Sequence, residues 1–510
     1  LPETYHLFTY IKSSFHKRLI MDLRTVKRSW IESEWVDMML DTFEDNPTIT
    51  PPDFKGVTLN DLIQLEVTPE NYLDMIRLAA FIQVENADNL VNKVVNVTGS
   101  PDVIFEFEAF YAISTKKKDF IAKSKKKPKN ALRAALEEWA FDKVAAFAKY
   151  GHISFWDVSL VTDMSKLFHS LILSINDDLS RWNVSQVTTM HRMFFYNQGF
   201  QGNISKWNVS KVKNMKEMFC NSLFNGDISQ WDVSNVTTMS SMFSNSAFSG
   251  DISAWDTSRV MDMSYLFCNS PVQSNLSQWN VSNVTNMEYM FNQTLFDNDI
   301  SQWKVSKVTN MMGMFSNSRF NGDLSKWDVS NVDNMHSMFE NSALTGGIAQ
   351  WNVHHVTQMD KMFRGSMFNG NISSWDVYSV QSMISMFENS VFNGNIAEWK
   401  VGNVTDMNGM FQDSLFDGDI SEWNVQNVKN MNGMFQDSVF NGDISSWNVS
   451  NVQTMHKMFY NCSFAGDLTS WDVFSSLHTR QEIFGGRTPV NFEDAWRNIV
   501  HYRNKKKQEH

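Results

Sequence analysis

A tryptophan returns every 24 residues over more than half of this chain, and no other feature limits its fold as strongly. The column comprises Trp207, Trp231, Trp255, Trp279, Trp303, Trp327, Trp351, Trp375, Trp399, Trp423, Trp447 and Trp471. Trp156 and Trp182 extend it upstream at spacings of 26 and 25, so 14 of the 18 tryptophans belong to one repeat. A fixed period of roughly 20 to 50 residues is typical of stacked repeat arrays and not of a globule with one core.

Each unit contains two apolar patterns. Around Trp231, the residues Ile228, Trp231 and Val233 give the pattern I-x-x-W-x-V, which predicts a short strand with one buried face. The second pattern predicts a short helix, because its apolar residues, spaced by 3, 3 and 1, share one helical face: Val236, Met239, Met242 and Phe243. Ser234 or Asn235 is the expected helix cap, and a tight turn of the type Phe224–Asp227 closes the unit.

One unit cannot bury its own apolar side chains, so neighbouring units must stack until these side chains form a continuous core. The predicted fold is an α/β repeat solenoid of about 14 units with short parallel strands and short helices, preceded by a mainly helical N-terminal domain. Strands paired at roughly 4.8 Å would give a rod or shallow arc about 65 Å long. The tryptophan and methionine columns are therefore expected to be scaffold, not carbohydrate or cofactor sites.

The repeat also resembles a known family. The pattern W-[DN]-V-S-x-V-x-x-M-x-x-M-F-x-x-S-x-F-x-G-[DN]-[IL]-[ST] recurs in more than a dozen copies over residues 151–487. It resembles the BspA-like leucine-rich repeat, in the variant common in mycoplasma surface proteins. Similar arrays occur in surface proteins of other bacteria and of protists, and in large DNA viruses. The resemblance implies a leucine-rich-repeat-like solenoid that binds or adheres to partners, with no cofactor and no known chemistry.

Changes in composition divide the chain into further regions. We expect an α-rich N-terminal domain over residues 1–114, a lysine-rich linker over 115–130 and a capping helix over 131–150. The repeat solenoid follows over 151–487, and a C-terminal cap with a basic tail occupies 488–510.

The first region contains a predicted pair of helices. Thr68–Ile82 opens with a capping threonine and a proline, continues with apolar residues at helical spacing, and is followed by a second predicted helix over 86–97. Together with Phe54–Ile63, this pair resembles the helical half of BTB/POZ and SKP-type domains, over about residues 36–98. That resemblance implies an adaptor module. The alternative is an unrelated helical cap that shields the first edge of the array.

Two further segments are predicted to close the array. Residues 131–150 form a predicted helix that seals its N-terminal end, with apolar residues at helical spacing: Leu132, Leu136, Trp139, Val144 and Phe147. At the other end, two glycines after Phe484 break the repeat pattern, and Asn491–Tyr502 is a predicted capping helix.

Charge separates the array from the rest of the chain. Residues 151–487 contain 31 acidic and 19 basic residues, which accounts for the whole net charge of −12. An acidic array argues against nucleic-acid binding, which needs clustered lysine and arginine. Two basic stretches, 116–129 and Lys505–Lys507, either contact an anionic surface or form a solvated linker and tail. No run of 18 or more apolar residues is present to span a bilayer.

No catalytic or metal-binding constellation emerges from the residues. His191, His336 and His456 share one repeat column, but the last two are five repeats apart, too far to share a metal ion. A column of Asp or Asn after each tryptophan is compatible with calcium binding, as in β-roll arrays. Lys304 and Lys400 interrupt this column, so a hydrogen-bonding ladder is the preferred interpretation. The three cysteines are spaced too widely for a disulfide.

Partner binding is expected where the repeat departs from its own consensus at outward positions. Three residues after the tryptophan, the chain has serine in every copy from Ser159 to Ser330. The next four copies carry His354, Tyr378, Gly402 and Gln426, and the residues before the corresponding tryptophans are Gln350, Ser374, Glu398 and Glu422. We interpret His354, Tyr378, Gln426, Gln350, Glu398 and Glu422 as a candidate partner-binding patch. Neutral drift on a solvated face is the alternative.

Two functions of different classes follow. The first is a non-enzymatic interaction protein whose acidic solenoid binds a protein partner and whose N-terminal module acts as an adaptor. The second is a self-associating assembly component, such as a cell-surface adhesin or a virion protein of a large DNA virus. The chain starts at Leu1 without a visible signal segment, so an intracellular or virion location is expected over secretion.

Overall fold

The structure, a computed structural model, describes residues 128–150, 153–169, 175–468, 470–471 and 483–484. The chain divides into two units, Leu1–Leu160 and Val161–His510. Several predictions lie outside the described residues: the N-terminal domain over 1–114, its BTB/POZ-like segment over 36–98 with both predicted helices, and the C-terminal cap and tail over 488–510. Within the described residues, no helix combines the length and apolarity needed to cross a membrane.

The described part of the first unit contains two helices where the sequence predicted one. Helix α1 spans Pro128–Phe141 and helix α2 spans Lys143–Tyr150, followed by a 3₁₀ turn at Ile153–Phe155. Asp142 causes the break, because its side chain accepts the Ala145 N–H at 2.9 Å and so caps a new helix. Helix α1 also begins inside the predicted linker of 115–130, at a proline suited to a first helical turn.

The two helices pack on each other. Leu132, Leu136 and Trp139 of α1 are fully buried. Trp156, the first tryptophan of the repeat series, meets the Trp139 ring edge-on at 5.7 Å. Sealing of the array by residues 131–150 stays a prediction.

In the second unit, a single parallel bridge joins each repeat to the next. The bridge lies at position +7, counting the repeat tryptophan as position 0. In the repeat of Trp231 the bridge residue is Thr238, which pairs with Asn214 behind it and with Asp262 ahead of it. Twelve such bridges connect the described repeats from Asp163 to Thr454.

The segment predicted as a short helix is instead a run of overlapping β-turns. Its backbone N–H groups donate alternately to the following repeat and to the same repeat. The N–H groups of Met239, Ser241, Phe243 and Asn245 donate to carbonyls of the following repeat at 2.7–3.1 Å. Those of Met242, Ser244 and Ser246 donate to the carbonyl three residues earlier at 3.0–3.3 Å. Both sets of donors are thereby satisfied, one within the repeat and one by its neighbour.

Two left-handed positions in each repeat exclude a continuous helix. In the repeat of Trp231 they are Ser241, with φ of 56°, and Asn245, with φ of 51°. They correspond to positions +10 and +14, and asparagine is frequent at +14 because it tolerates this conformation. The predicted helix is therefore corrected to turns, although its apolar residues still share one buried side.

The predicted strand is also corrected. Ile228–Trp231 is a turn closed by a 3.2 Å hydrogen bond from the Trp231 N–H to the Ile228 carbonyl, and Val233–Val236 is a second turn, closed at 2.8 Å. The expected alternation of burial is nevertheless present, since Trp231 and Val233 are buried while Asp232 is exposed. Pairing between repeats thus occurs at +7 and not at the tryptophan.

The tryptophans form a continuous buried column. From Trp207 to Trp471 their exposed fractions lie between 2% and 5%. Neighbouring indole rings stack nearly parallel at centroid distances of 6.3–6.5 Å. Each indole N–H donates to a carbonyl of the previous repeat at 2.8–3.2 Å. These bonds satisfy the polar atom of each indole inside the core.

A column of phenylalanines runs beside the tryptophans. From Phe219 to Phe459, Phe243 and its equivalents stack between repeats at about 5.6–6.0 Å. After the last bridge the column continues to Phe484, which stacks on Phe459 at 5.4 Å. The Phe459 N–H also donates to the Ile483 carbonyl at 3.1 Å. Ile483 and Phe484 therefore occupy the place of a further Met-Phe pair and cover the repeat of Trp447.

Candidate partner-binding surfaces

The six residues of the candidate partner-binding patch are all exposed. They occupy two exposed columns of the array, at positions −1 and +3: Gln350, His354, Tyr378, Glu398, Glu422 and Gln426. The hydrogen bonds found in this described region join none of the six side chains to another of the six. Hydrogen bonding therefore does not gather these side chains into one cluster, and their role as a single patch stays a prediction.

One member of the patch is held by a neighbouring repeat. His354 Nδ1 lies 2.8 Å from Asp376 Oδ2. This hydrogen bond, with the backbone N–H of Tyr378, lowers the pKa of Asp376 despite its partial desolvation. The Tyr378 side chain is 53% exposed. The solvent-exposed Tyr378 ring, two residues after Asp376, is available for contact with a protein partner.

The Asp or Asn after each tryptophan caps its own turn. Asp232 Oδ1 accepts the Ser234 N–H at 3.1 Å and the Ser234 hydroxyl at 2.6 Å. The same hydroxyl-to-side-chain bond recurs in the repeats of Asn208 and Asp328 at 2.6–2.7 Å. The predicted ladder between repeats is therefore corrected at this position, because these bonds stay within one repeat, although Asp376 also bonds His354 of the previous repeat.

Amide ladders between repeats occur at two other positions, which the sequence reasoning missed. At +4, Asn235 Nδ2 donates to the Ser210 carbonyl of the previous repeat at 2.8 Å, and Asn283, Asn331, Asn403, Asn427 and Asn451 repeat the contact. At +18, Asn393 Oδ1 accepts the Asp417 N–H at 2.9 Å. The recurrence of asparagine in both columns was the available signal.

A second surface varies more than the predicted patch. Positions +9, +10 and +13 lie beside the bridges, and we call them the bridge face. Arg364 at +13 donates to Glu340 and to Glu388, the residues at +13 in the adjacent repeats, at 3.1 Å each. The Glu388 hydrogen bond, followed by the one from Glu340, raises the pKa of Arg364. One cation thus connects three successive repeats.

Aromatic residues occupy another part of the bridge face. Tyr265 and Tyr289 stack at 5.1 Å, and the Tyr265 hydroxyl donates to Glu288 Oε1 at 2.9 Å. Burial, followed by the Glu288 bond, raises the pKa of Tyr265. The Tyr289 ring lies over Gly313, where an added Cβ would stand only 2.2 Å from the ring. The sequence signal for this face was variation at +9, +10 and +13, next to the nearly constant Met and Phe columns at +8, +11 and +12.

The histidine column lies on the bridge face and forms no metal centre. His336 Nδ1 lies 3.8 Å from Asp360 Oδ2. His191 is part-buried, and burial, followed by the charge of Arg192, lowers its pKa. Within the part of the chain that the structure describes, no group of three or more His, Cys, Asp or Glu side chains is arranged to hold a metal ion.

The three cysteines are free thiols. Burial raises the pKa of Cys220 to about 11. A thiol held in its neutral form is a weak nucleophile.

Comparison with known proteins matches the array to one family. A sequence model of that family matches residues 136–248, 244–346, 341–415 and 390–496, which together cover more than two thirds of the chain. No curated protein and no solved structure matches the chain. The matched segments contain the 24-residue repeat and its tryptophan column. The chain belongs to the repeat family described as Mycoplasma protein of unknown function, DUF285.

Proposed function

We propose that this protein is a non-enzymatic binding protein whose repeat array captures a protein partner. One observation carries the proposal: the buried columns keep their residue type from repeat to repeat, whereas the exposed columns change. Tryptophan occupies every position 0 from Trp207 to Trp471, while the exposed position −1 runs through Lys, Gln, Ala, Ser and Glu. A constant scaffold with varied side chains outside suits recognition of a specific surface.

The finer assignment to a BspA-like array with a leucine-rich-repeat-like solenoid fold belongs to the same proposal. It is supported by the 24-residue period, the parallel bridges at +7 and the continuous stacked core. The adaptor role of the N-terminal module follows from its sequence pattern alone.

The test uses the full chain with an affinity tag, captured from cells that naturally express it, and identifies bound proteins by mass spectrometry. Two sets of substitutions probe the candidate patch without disturbing the fold, because each restores a residue that the array itself uses at that position. His354→Ser with Tyr378→Ser restores the serine of position +3. Glu398→Gln with Glu422→Gln restores the glutamine found before other tryptophans, as at Gln350.

A partner bound by the wild-type chain and lost from these variants supports both the function and the patch. A partner that all variants retain places the contact on another surface. Capture of further copies of this chain alone, with a larger particle in light scattering, favours the assembly component over the interaction protein. Failure of the wild-type chain to capture any protein refutes the proposal.

A further inference from the structure

Position +16 carries a row of apolar side chains in four successive repeats, of which Val391 is half-buried and the other three are exposed: Met367, Val391, Leu415 and Val439. Three of them are strongly exposed, at 59% for Met367, 55% for Leu415 and 44% for Val439. The residues on either side of +16 point inward, as Ser366 and Phe368 do in the first of these repeats. Neighbouring apolar side chains that are exposed to solvent and do not contribute to the core indicate an interaction surface.

The four side chains are held at a regular spacing. The Leu415 N–H donates to the Ser390 carbonyl of the previous repeat at 3.3 Å, which joins neighbouring segments of the row. The phenylalanines that follow each member of the row stack at 6.2–6.3 Å. The row therefore presents one apolar side chain about every 6 Å. An α-helix laid along it offers one side chain per turn of about 5.4 Å, which is close to this spacing.

Carboxylates border the second half of the row, whereas Gly365, Asn369, Asn389 and Asn393 flank Met367 and Val391. Outward positions alternate along this segment, so Asp413 at +14 and Asp417 at +18 flank Leu415, and Asp437 precedes Val439 by two residues. Asp417 Oδ1 accepts the Asn441 N–H at 2.7 Å, and Asp437 Oδ1 accepts from the Asn461 amide at 2.8 Å. These bonds fix the positions of two carboxylates. Residues 365–443 as a whole contain ten acidic and two basic residues, a net charge of −8.

We propose that this acid-bordered row is the docking surface for a cationic amphipathic helix of a protein partner. The apolar side chains match one apolar residue per helical turn, and the carboxylates match lysine or arginine on the flanks of that helix. A second copy of this region is a poor occupant, because both copies would bring the carboxylates of Asp413, Asp417 and Asp437 into the contact. The inference rests on the proposed function and names the chemistry of the partner.

The experiment titrates the full chain with a fluorescent synthetic peptide of 15 residues, with leucine once per helical turn and lysine elsewhere, and follows fluorescence anisotropy. A peptide of the same composition in scrambled order is the first control. Leu415→Ser with Val439→Ser removes two members of the row. Leu223→Ser is the matched control, because Leu223 is 48% exposed at the same repeat position but is flanked by Asn221 and Asn225. Asp413→Asn with Asp417→Asn removes charge while restoring the asparagine common at both positions.

We expect the Leu415/Val439 variant to bind the ordered peptide about tenfold or more weakly than wild type, and the Leu223 variant to bind like wild type. The Asp413/Asp417 variant should bind more weakly and lose part of the salt dependence. Equal binding of the ordered and scrambled peptides, or equal binding by wild type and the Leu415/Val439 variant, overturns the inference. If the peptide result is negative while the capture experiment still yields a partner, only this surface is refuted. If capture yields no protein, the proposed function itself fails.

Discussion

Replacing one internal tryptophan by phenylalanine measures how strongly the tryptophan column stabilises the array. Trp399 is 2% exposed and stacks between Trp375 and Trp423 at 6.4 Å on each side. Its indole N–H donates to the Ile372 carbonyl at 3.0 Å. The same carbonyl also accepts the Trp375 N–H at 3.1 Å, so Trp399→Phe leaves no acceptor without a partner.

The expected cost has two parts. Loss of the indole hydrogen bond costs about 1 kcal/mol, because the remaining carbonyl keeps one donor. Replacing indole by phenyl opens roughly 40 Å³, and at about 24 cal/mol per Å³ this adds about 1 kcal/mol. We therefore expect Trp399→Phe to lower the free energy of unfolding by about 2 kcal/mol.

The assay is urea unfolding followed by circular dichroism, with the midpoint compared at an unchanged m-value. Trp471→Phe is the matched comparison, since Trp471 makes an equivalent hydrogen bond at 3.0 Å but is the last tryptophan of the column and stacks on Trp447 behind it. We expect Trp471→Phe to lower the free energy of unfolding by less than Trp399→Phe does, and the difference measures the contribution of stacking on the second side. A loss below about 0.5 kcal/mol at Trp399 would refute the view that the column is structural, since surface substitutions fall in that range.

Four further substitutions test the bridge face. Gly313→Ala should destabilise by about 1–3 kcal/mol, because its φ of 58° disfavours a side chain and the new Cβ would meet the Tyr289 ring at 2.2 Å. Gly409→Ala, with φ of 62° but a nearest atom 3.2 Å away, should cost visibly less in the same urea assay; equal costs contradict the steric argument. Arg364→Gln should lower the free energy of unfolding by about 1–2 kcal/mol, a modest value because the guanidinium is partly exposed to water. In thermal unfolding this loss should be smaller at high salt, which screens the ion pairs of Arg364 with Glu340 and Glu388. His191 has a lowered pKa in the folded state, so the unfolded chain binds its proton first and stability should fall as the pH drops below about 6.5. His191→Gln should weaken this loss between pH 7 and pH 5, and an unchanged pH profile contradicts the assignment.

The sequence predicted which side chains are buried better than it predicted the backbone that buries them. The spacing of Val236, Met239, Met242 and Phe243 requires only that these residues share one side, and a run of turns closed over three residues meets that requirement as well as a helix does. The evidence against a helix lay in the polar residues between them. Ser241 and Asn245 adopt positive φ, and serine and asparagine compete with helical hydrogen bonds.

The candidate patch was predicted from a break in an otherwise constant serine column, and its six residues are exposed. Sequence reasoning missed the bridge face because its columns have no consensus residue from which a departure could be recognised. The ion pairs of Arg364 with Glu340 and Glu388 join residues 24 apart, so they become visible only once the repeats are placed in register. Pattern reasoning along one repeat detects departures from a consensus, whereas contacts between repeats require the register of the stack.

The alternating direction of the backbone donors explains why turns replace a helix in this array. A helix would satisfy its N–H groups internally and leave nothing to pair with the neighbouring repeat. In the turn run, Met239 and Phe243 instead donate to the following repeat, so each repeat is complete only when the next one is present. The repeat of Trp447 follows the same rule, because Phe459 donates to Ile483 and stacks on Phe484. Stability in this array therefore resides in the contacts between repeats, and the segment 483–484 is part of the array because it supplies the acceptor and the ring that the repeat of Trp447 needs.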